Sequence, residues 1–287
     1  NHPTYNHMDK PSPSTDSGHS VIYNAPPEII LAILGCLLAS SQALPHGRKY
    51  RDLILFTHIS SRLRSIAVST PTLWTRIEIT DRPTSFELAK TCLRRSGSQK
   101  LDINIRVATR IGARLPGIIA LVDYVAVRTE RLSMHLVLRK ESQWTQIQDA
   151  LQALVSPILG ELELKFSHDD GVHTRNEIPS IFLPTLAQGI RSLVLKELVP
   201  AIQPTLLGIL KKLVLISNTD MSWPLAHMRE VLDQCKQLEC LELVANPDNA
   251  ANHTSPPREP AYQTLPKLRL LILKGHSSSF VSLVLQV

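Results

Sequence analysis

The chain has 287 residues, 43 % of them hydrophobic but only 5 % aromatic, and a formal charge of +6 from 31 basic and 25 acidic side chains. A core of leucine, isoleucine, valine and alanine suits many similar stacked layers better than a few bulky anchors. The basic residues are scattered, with short clusters at Arg48-Lys49-Tyr50-Arg51, Arg94-Arg95 and Lys211-Lys212. A nucleic-acid binder concentrates them on one face, so no nucleic-acid partner is expected.

The apolar run at residues 29–38 is about half of what a bilayer requires, and no membrane association is expected. The four cysteines, Cys36, Cys92, Cys235 and Cys240, include no CxxC pair. They read as free thiols in a reducing compartment, which places the protein in the cytoplasm and/or nucleus. The sequon Asn252-His253-Thr254 is read as chance, and the chain is expected to be truncated at its C-terminus.

Residues 1–20, rich in Pro, Ser, Asn, His and Asp, read as a disordered tail. In the stretch NAPPEIILAILGCLL that follows, Pro27 suits the first helical position and Glu28 complements the helix dipole. Ile29, Ile30, Ile33, Leu34, Leu37 and Leu38 recur as adjacent pairs every four residues, predicting a short helix with one broad apolar face. After a polar loop at residues 39–50, Leu53, Phe56, Ile59, Leu63 and Ile66 predict two further helices over residues 51–60 and 61–69, ended by Pro71. Residues 72–79, TLWTRIEI, alternate like a strand. Three helices in about 45 residues bury too little surface to stand comfortably alone, so a partner or a second domain is expected to complete them.

The rest of the chain repeats an apolar residue, two variable residues, a leucine, one variable residue and a leucine. The five occurrences are Leu159-Leu162-Leu164, Ile190-Leu193-Leu195, Leu210-Leu213-Leu215, Leu238-Leu241-Leu243 and Leu268-Leu271-Leu273, with middle leucines 31, 20, 28 and 30 residues apart. That is the grammar of irregular leucine-rich repeats, in which parallel strands stack and bury a leucine ladder. Return helices are predicted in WTQIQDALQALVSPIL, with Trp144, Ile147, Leu151, Leu154 and Ile158 on one stripe, and in LAHMREVLDQCKQL, with Leu225, Met228, Val231, Leu232 and Cys235. LDINIRV and RLSMHLVL read as weaker opening strands. Residues 246–263 read as a long excursion between two repeats, and the segment SSSFVSLVLQV as a return helix.

Ala25-Pro26-Pro27-Glu28-Ile29-Ile30, Ile33-Leu34, Ile59 to Ala67 (ISSRLRSIA) and Ser69-Thr70-Pro71-Thr72-Leu73-Trp74 together resemble an F-box. More specifically, they resemble the F-box of a large group of mushroom-type fungal proteins that carry leucine-rich repeats. The likeness continues through Leu93-Arg94-Arg95-Ser96-Gly97-Ser98 and Leu101-Asp102-Ile103, the link into the repeats. Ala25 stands where that family opens with leucine, and Leu63 where it usually has tryptophan.

The resemblance implies an α/β fold: a trihelical F-box-like module at residues 21–75, a linker with an opening strand and helix at 76–130, and a solenoid of parallel strands at 131–287. It implies a substrate-recognition subunit of a cullin–RING ubiquitin ligase. Pro26, Pro27, Ile29, Ile33 and Leu37 would face the Skp-type adaptor, and Ile59, Leu63 and Ile66 would complete either the helical cluster or the contact. The repeats would hold a target protein, on the strand face at Glu163, Lys165, Val194, Lys196, Val214, Glu242 and Ile272 or on residues 246–263. The alternative is a free-standing repeat scaffold with no ubiquitin role.

No GxSxG, HExxH, Walker-type loop or GxGxxG occurs, and 11 glycines are few for phosphate-cradling loops. No catalytic residue and no cofactor is therefore expected. His168, Asp169, Asp170 and His173 read as a solvated turn rather than a metal site. Trp74 and Trp144 read as core. Trp223, ahead of Pro224 at a helix start, reads as half-exposed.

Overall fold

The computed structural model describes residues 24–40, 49–107, 111–138, 141–153, 156–168, 180–181, 189–201, 204–217, 225–244 and 265–274. The expected tail, the excursion at 246–263, the segment after Lys274, Trp223 and Asp169, Asp170 and His173 lie outside them. The chain divides into two compact units, Asn1–Ser69 and Thr70–Val287.

Among the described residues, the first unit holds a cluster of three helices, α1 (Pro27–Ser40), α2 (Lys49–Ile59) and α3 (Ser61–Val68). Pro26 sets the start of α1, its carbonyl accepting from the amides of Ile29 and Ile30 at 3.1 and 3.2 Å. Ser60 caps α3, its side chain accepting from the Leu63 amide at 3.1 Å. Ile30 and Leu34 of α1, Leu53 of α2, and Leu63 and Ala67 of α3 are sealed inside the cluster. The Arg62 guanidinium donates to the Ala25 carbonyl at 2.6 Å, pinning the Pro-Pro entry of α1 to α3.

The second unit opens with a 3-10 turn at Pro71–Trp74, not with a strand at residue 72. Pro71 starts that turn, and Trp74 is fully buried with the Arg95 guanidinium 4.3 Å over its ring, so the alternation in TLWT reports a buried turn. From there strand and helix alternate: β1 (Arg76–Thr80), α4 (Pro83–Arg95), β2 (Leu101–Val107), α5 (Ile111–Val125), β3 (Thr129–Leu138), α6 (Glu141–Ala153) and β4 (Glu161–His168). Then come β5 (Ser180–Ile181), β6 (Ser192–Lys196), β7 (Val199–Pro200), α7 (Pro204–Leu207), β8 (Lys212–Ile216), α8 (Leu225–Gln234), β9 (Cys240–Val244) and β10 (Leu270–Lys274). Eight strands form one open parallel sheet in the order β1-β2-β3-β4-β6-β8-β9-β10, and β5 pairs with β7 apart from it. Each new strand is added beside the previous one, as stacked repeats require.

The last two leucines of each of the five triplets lie in register on that sheet, and the first member just precedes its strand. Leu162, Leu193, Leu213, Leu241 and Leu271 face one another across adjacent strands, and the same row continues through Leu132, Ile103 and Ile77. A second row joins Ile79, Ile105, Met134, Leu164, Leu195, Leu215, Leu243 and Leu273. From β1 to β9 both rows are buried; on β10 they are half-buried. The expected return helices cover this face: Trp144 of α6 meets Phe166 of β4 edge-on at 5.1 Å, and Met228, Val231 and Leu232 of α8 are buried. Cys235 falls just past the end of α8, Ile158 lies in the turn before β4, and Leu154 lies outside the described residues.

Residues 76–130, expected to hold a linker and the opening strand and helix of the solenoid, contain two strand–helix layers, β1 with α4 and β2 with α5, whose strands share both rows. Two glycines show what the backbone demands. Gly97 ends α4 at φ +56°, the left-handed conformation that stops a helix. A Cβ at Gly189 would lie 2.7 Å from the Leu159 carbonyl oxygen, so only glycine lets the chain pass there.

Candidate functional site

On α1 the apolar pairs split between two environments. Ile30 and Leu34 are 1 % exposed, whereas Ile29, Ile33 and Leu37 are 51, 43 and 50 % exposed. The latter three are spaced i, i+4, i+8 and form one outward stripe. Pro26, Pro27 and Cys36 are exposed on the same helix and its entry. Leu55 and Ile59 of α2, at 52 and 70 %, and Val68 of α3, at 40 %, are further outward apolar side chains. Covering an exposed isoleucine or leucine gains about 1–2 kcal/mol each, so the α1 stripe is an apolar surface whose burial would be worth several such increments.

Leu63, read as completing either the helical cluster or the contact, is 4 % exposed, which places it in the interior of its unit and not on the outward stripe. Ile66 is half-buried and Ile59 is exposed at the end of α2.

The second candidate surface is the sheet face opposite the leucine rows, where side chains are half-buried and arranged in three rows. The row at the strand starts runs Arg76, Asp102, Arg131, Glu161 across β1–β4. Its charges alternate and pair: Arg76–Asp102 at 3.6 Å, Arg131–Asp102 at 3.6 Å and Arg131–Glu161 at 2.6 Å. The bond from Arg131 holds the Glu161 carboxyl below its ordinary range, and Glu161 raises Arg131 in return. A polar shelf at the foot of these strands, with Lys100 on Glu130 at 2.8 Å and Lys211 on Glu239 at 3.0 Å, is built from the same pairing.

The middle row holds Glu78, Asn104, Ser133, Glu163, Val194, Val214, Glu242 and Ile272. Glu163 accepts from Ser133 at 3.3 Å and pairs with Lys196 at 2.5 Å. Val214, expected as a target contact, is corrected: at 4 % exposure it is buried, while Glu163, Lys165, Val194, Lys196, Glu242 and Ile272 are half-buried and reachable. The row at the strand ends runs Thr80, Arg106, His135, Lys165, Lys196, Ile216, Val244 and Lys274. Burial, and then the charges of Lys165, Arg106 and Lys196, lower the pKa of His135.

A groove between α5 and α6, lined by Ile119, Ala120, Met134 and Ile147, offers only Asp123 and Gln146 as polar side chains, a poor setting for acid–base work. Among the described residues no three His, Cys, Asp or Glu side chains converge as a metal site, and no helix is long and apolar enough to cross a membrane. Cys92 and Cys235 are buried, and burial pushes the Cys235 thiol up to about 12, far from a reactive thiolate. Comparison with known proteins gave no match: no family model fits the chain, and no curated protein or solved structure is significantly similar to it.

Proposed function

We propose that the chain is a substrate-recognition subunit of a Skp–cullin–RING ubiquitin ligase, with α1 as the adaptor-docking helix and the repeat sheet as the target-binding end. The observation that carries this reading is the outward stripe of Ile29, Ile33 and Leu37, side chains that a helix serving only its own unit would turn inward or replace by polar ones. The Pro26-Pro27 entry, fixed by the bond from Arg62 to the Ala25 carbonyl, sets where that helix begins. The resemblance of residues 25–74 to an F-box supplies the partner.

The test is affinity capture of the full chain with a Skp-type adaptor. Wild type is expected to retain the adaptor. Ile33→Asp is expected to lose it while its circular dichroism and unfolding curve stay those of wild type. A wild-type chain that never captures any Skp-type adaptor leaves the free-standing repeat scaffold as the better reading.

A further inference from the structure

The three rows on the open face of the sheet follow two electrostatic rules. At the strand starts, neighbouring strands carry opposite charges and pair. At the strand ends, β2, β3, β4 and β6 place Arg106, His135, Lys165 and Lys196 directly beside one another in register. Like charges opposite each other across a parallel or antiparallel pair destabilise a sheet, and this same sheet shows how readily it pairs opposite charges. In this row Lys165 and Lys196 are like charges side by side in register, and Arg106 and Lys165 flank the imidazole of His135. Glu163 is the carboxylate facing it from the middle row, and it is already held by Lys196 and Ser133. Arg106 spends its Nε on the Asn104 side chain at 2.9 Å.

We infer that the strand-end row Arg106-His135-Lys165-Lys196 is the target-recognition site of the repeat domain, and that it takes an extended, Asp/Glu-rich segment of a partner protein laid across the strands. This deepens the reading of the sheet as the target-binding end and rests on it. Adjacent strands are about 4.8 Å apart, so the row spans about 14 Å, the length of four or five extended residues. Carboxylates there would form charge-assisted hydrogen bonds to side chains already held half-buried on rigid strands, with little ordering cost left at binding. A single-stranded nucleic acid fits less well: the face positions of the eight strands include no Phe, Tyr or Trp on which a base could stack. A duplex would press its phosphates on Glu163 and Glu78 in the neighbouring row.

His135 gives the site a signature. The groups facing it are Arg106 on β2, Lys165 and Glu163 on β4, and Lys196 on β6, and the cations help keep it neutral. A bound carboxylate reverses that field and favours the charged imidazole. Binding then takes up a proton at His135, and affinity rises as pH falls from about 8 to about 5.5, a range in which the lysines, the arginine and the peptide carboxylates keep their charges.

The experiment is fluorescence anisotropy with the full chain and a labelled ten-residue Glu-rich peptide, with a lysine-rich peptide and a ten-residue oligothymidylate as competing probes. Saturable binding of the Glu-rich peptide is expected, weakening with salt. Arg106→Gln/Lys165→Gln is expected to weaken it by about tenfold or more, and Lys212→Gln, a cation on β8 that continues the strand-start row from Glu161 through Ser192, to leave it unchanged. His135→Gln is expected to flatten the pH dependence. Equal losses in the two charge variants, tighter binding of the oligothymidylate, or no binding of the Glu-rich peptide would overturn the inference. Adaptor capture on the same preparations separates the two claims: peptide binding without adaptor capture sinks the ligase reading and leaves this site standing, and the converse sinks the site alone.

Discussion

The three-helix unit and the repeat unit use the same aliphatic side chains to opposite ends. In the repeats, the two rows of leucine, isoleucine and methionine are buried from β1 to β9, and each strand is sealed by the next. In the helical unit, α1 buries Ile30 and Leu34, half-buries Leu38, and leaves their pair members Ile29, Ile33 and Leu37 about half exposed. The difference teaches that apolar periodicity alone locates a surface but does not say whether it is owned by the chain or kept for a partner. The decisive quantity is how many neighbours the local topology supplies, eight stacked layers in one unit and three short helices in the other.

The contrast can be broken most forcefully inside the repeats. Trp74→Ala and Leu213→Ala each remove a fully buried side chain, and losses of about 3–5 and about 2–5 kcal/mol are expected in urea unfolding. Next comes the cap that turns α2 into α3: Ser60→Ala removes the acceptor for the Leu63 amide and is expected to cost about 1 kcal/mol. Adjacent positions on α1 sharpen the comparison further. Leu34→Ala is expected to destabilise by about 2 kcal/mol or more, whereas Ile33→Ala should stay within about 0.5 kcal/mol and show its effect only in adaptor binding.

The smallest effect concerns the strand-start row. Glu161 has a lowered pKa, so the stability it contributes is present above its unfolded pKa and fades as pH falls through the lower folded value. Arg131→Gln is expected to return Glu161 towards its ordinary range, read by NMR titration. The stability change should be under about 1 kcal/mol, since both side chains are about half exposed.

Much of this was legible in the sequence. The LxxLxL triplets fall on strands in register, and the three front helices lie within two residues of their expected bounds. Two features were not. The strands β1 and β2 were legible, but their membership of the repeat stack was not, because Ile77-Ile79 and Ile103-Ile105 use isoleucine where the repeat pattern asks for leucine, and because α5 carries Pro116-Gly117 inside a helix. The strand-end basic row escaped for a different reason. Arg106, His135, Lys165 and Lys196 lie 29, 30 and 31 residues apart, so they look scattered until parallel stacking brings one residue from each layer side by side. Likewise, the apolar periodicity of α1 does not distinguish Ile33 from Leu34; the F-box resemblance singles out Ile33, and the burial of the two residues separates them.

Cys36 lies one turn after Ile33, exposed beside Leu37 on the outward side of α1, and the other three cysteines are buried or half-buried. Its alkylation rate in the intact chain is therefore a direct reading of that face. Saturating a Skp-type adaptor onto the chain is expected to slow Cys36 labelling by about tenfold or more, with no protection in Ile33→Asp. An adaptor that binds while Cys36 reacts at its free rate would contradict the assignment of α1 as the docking helix.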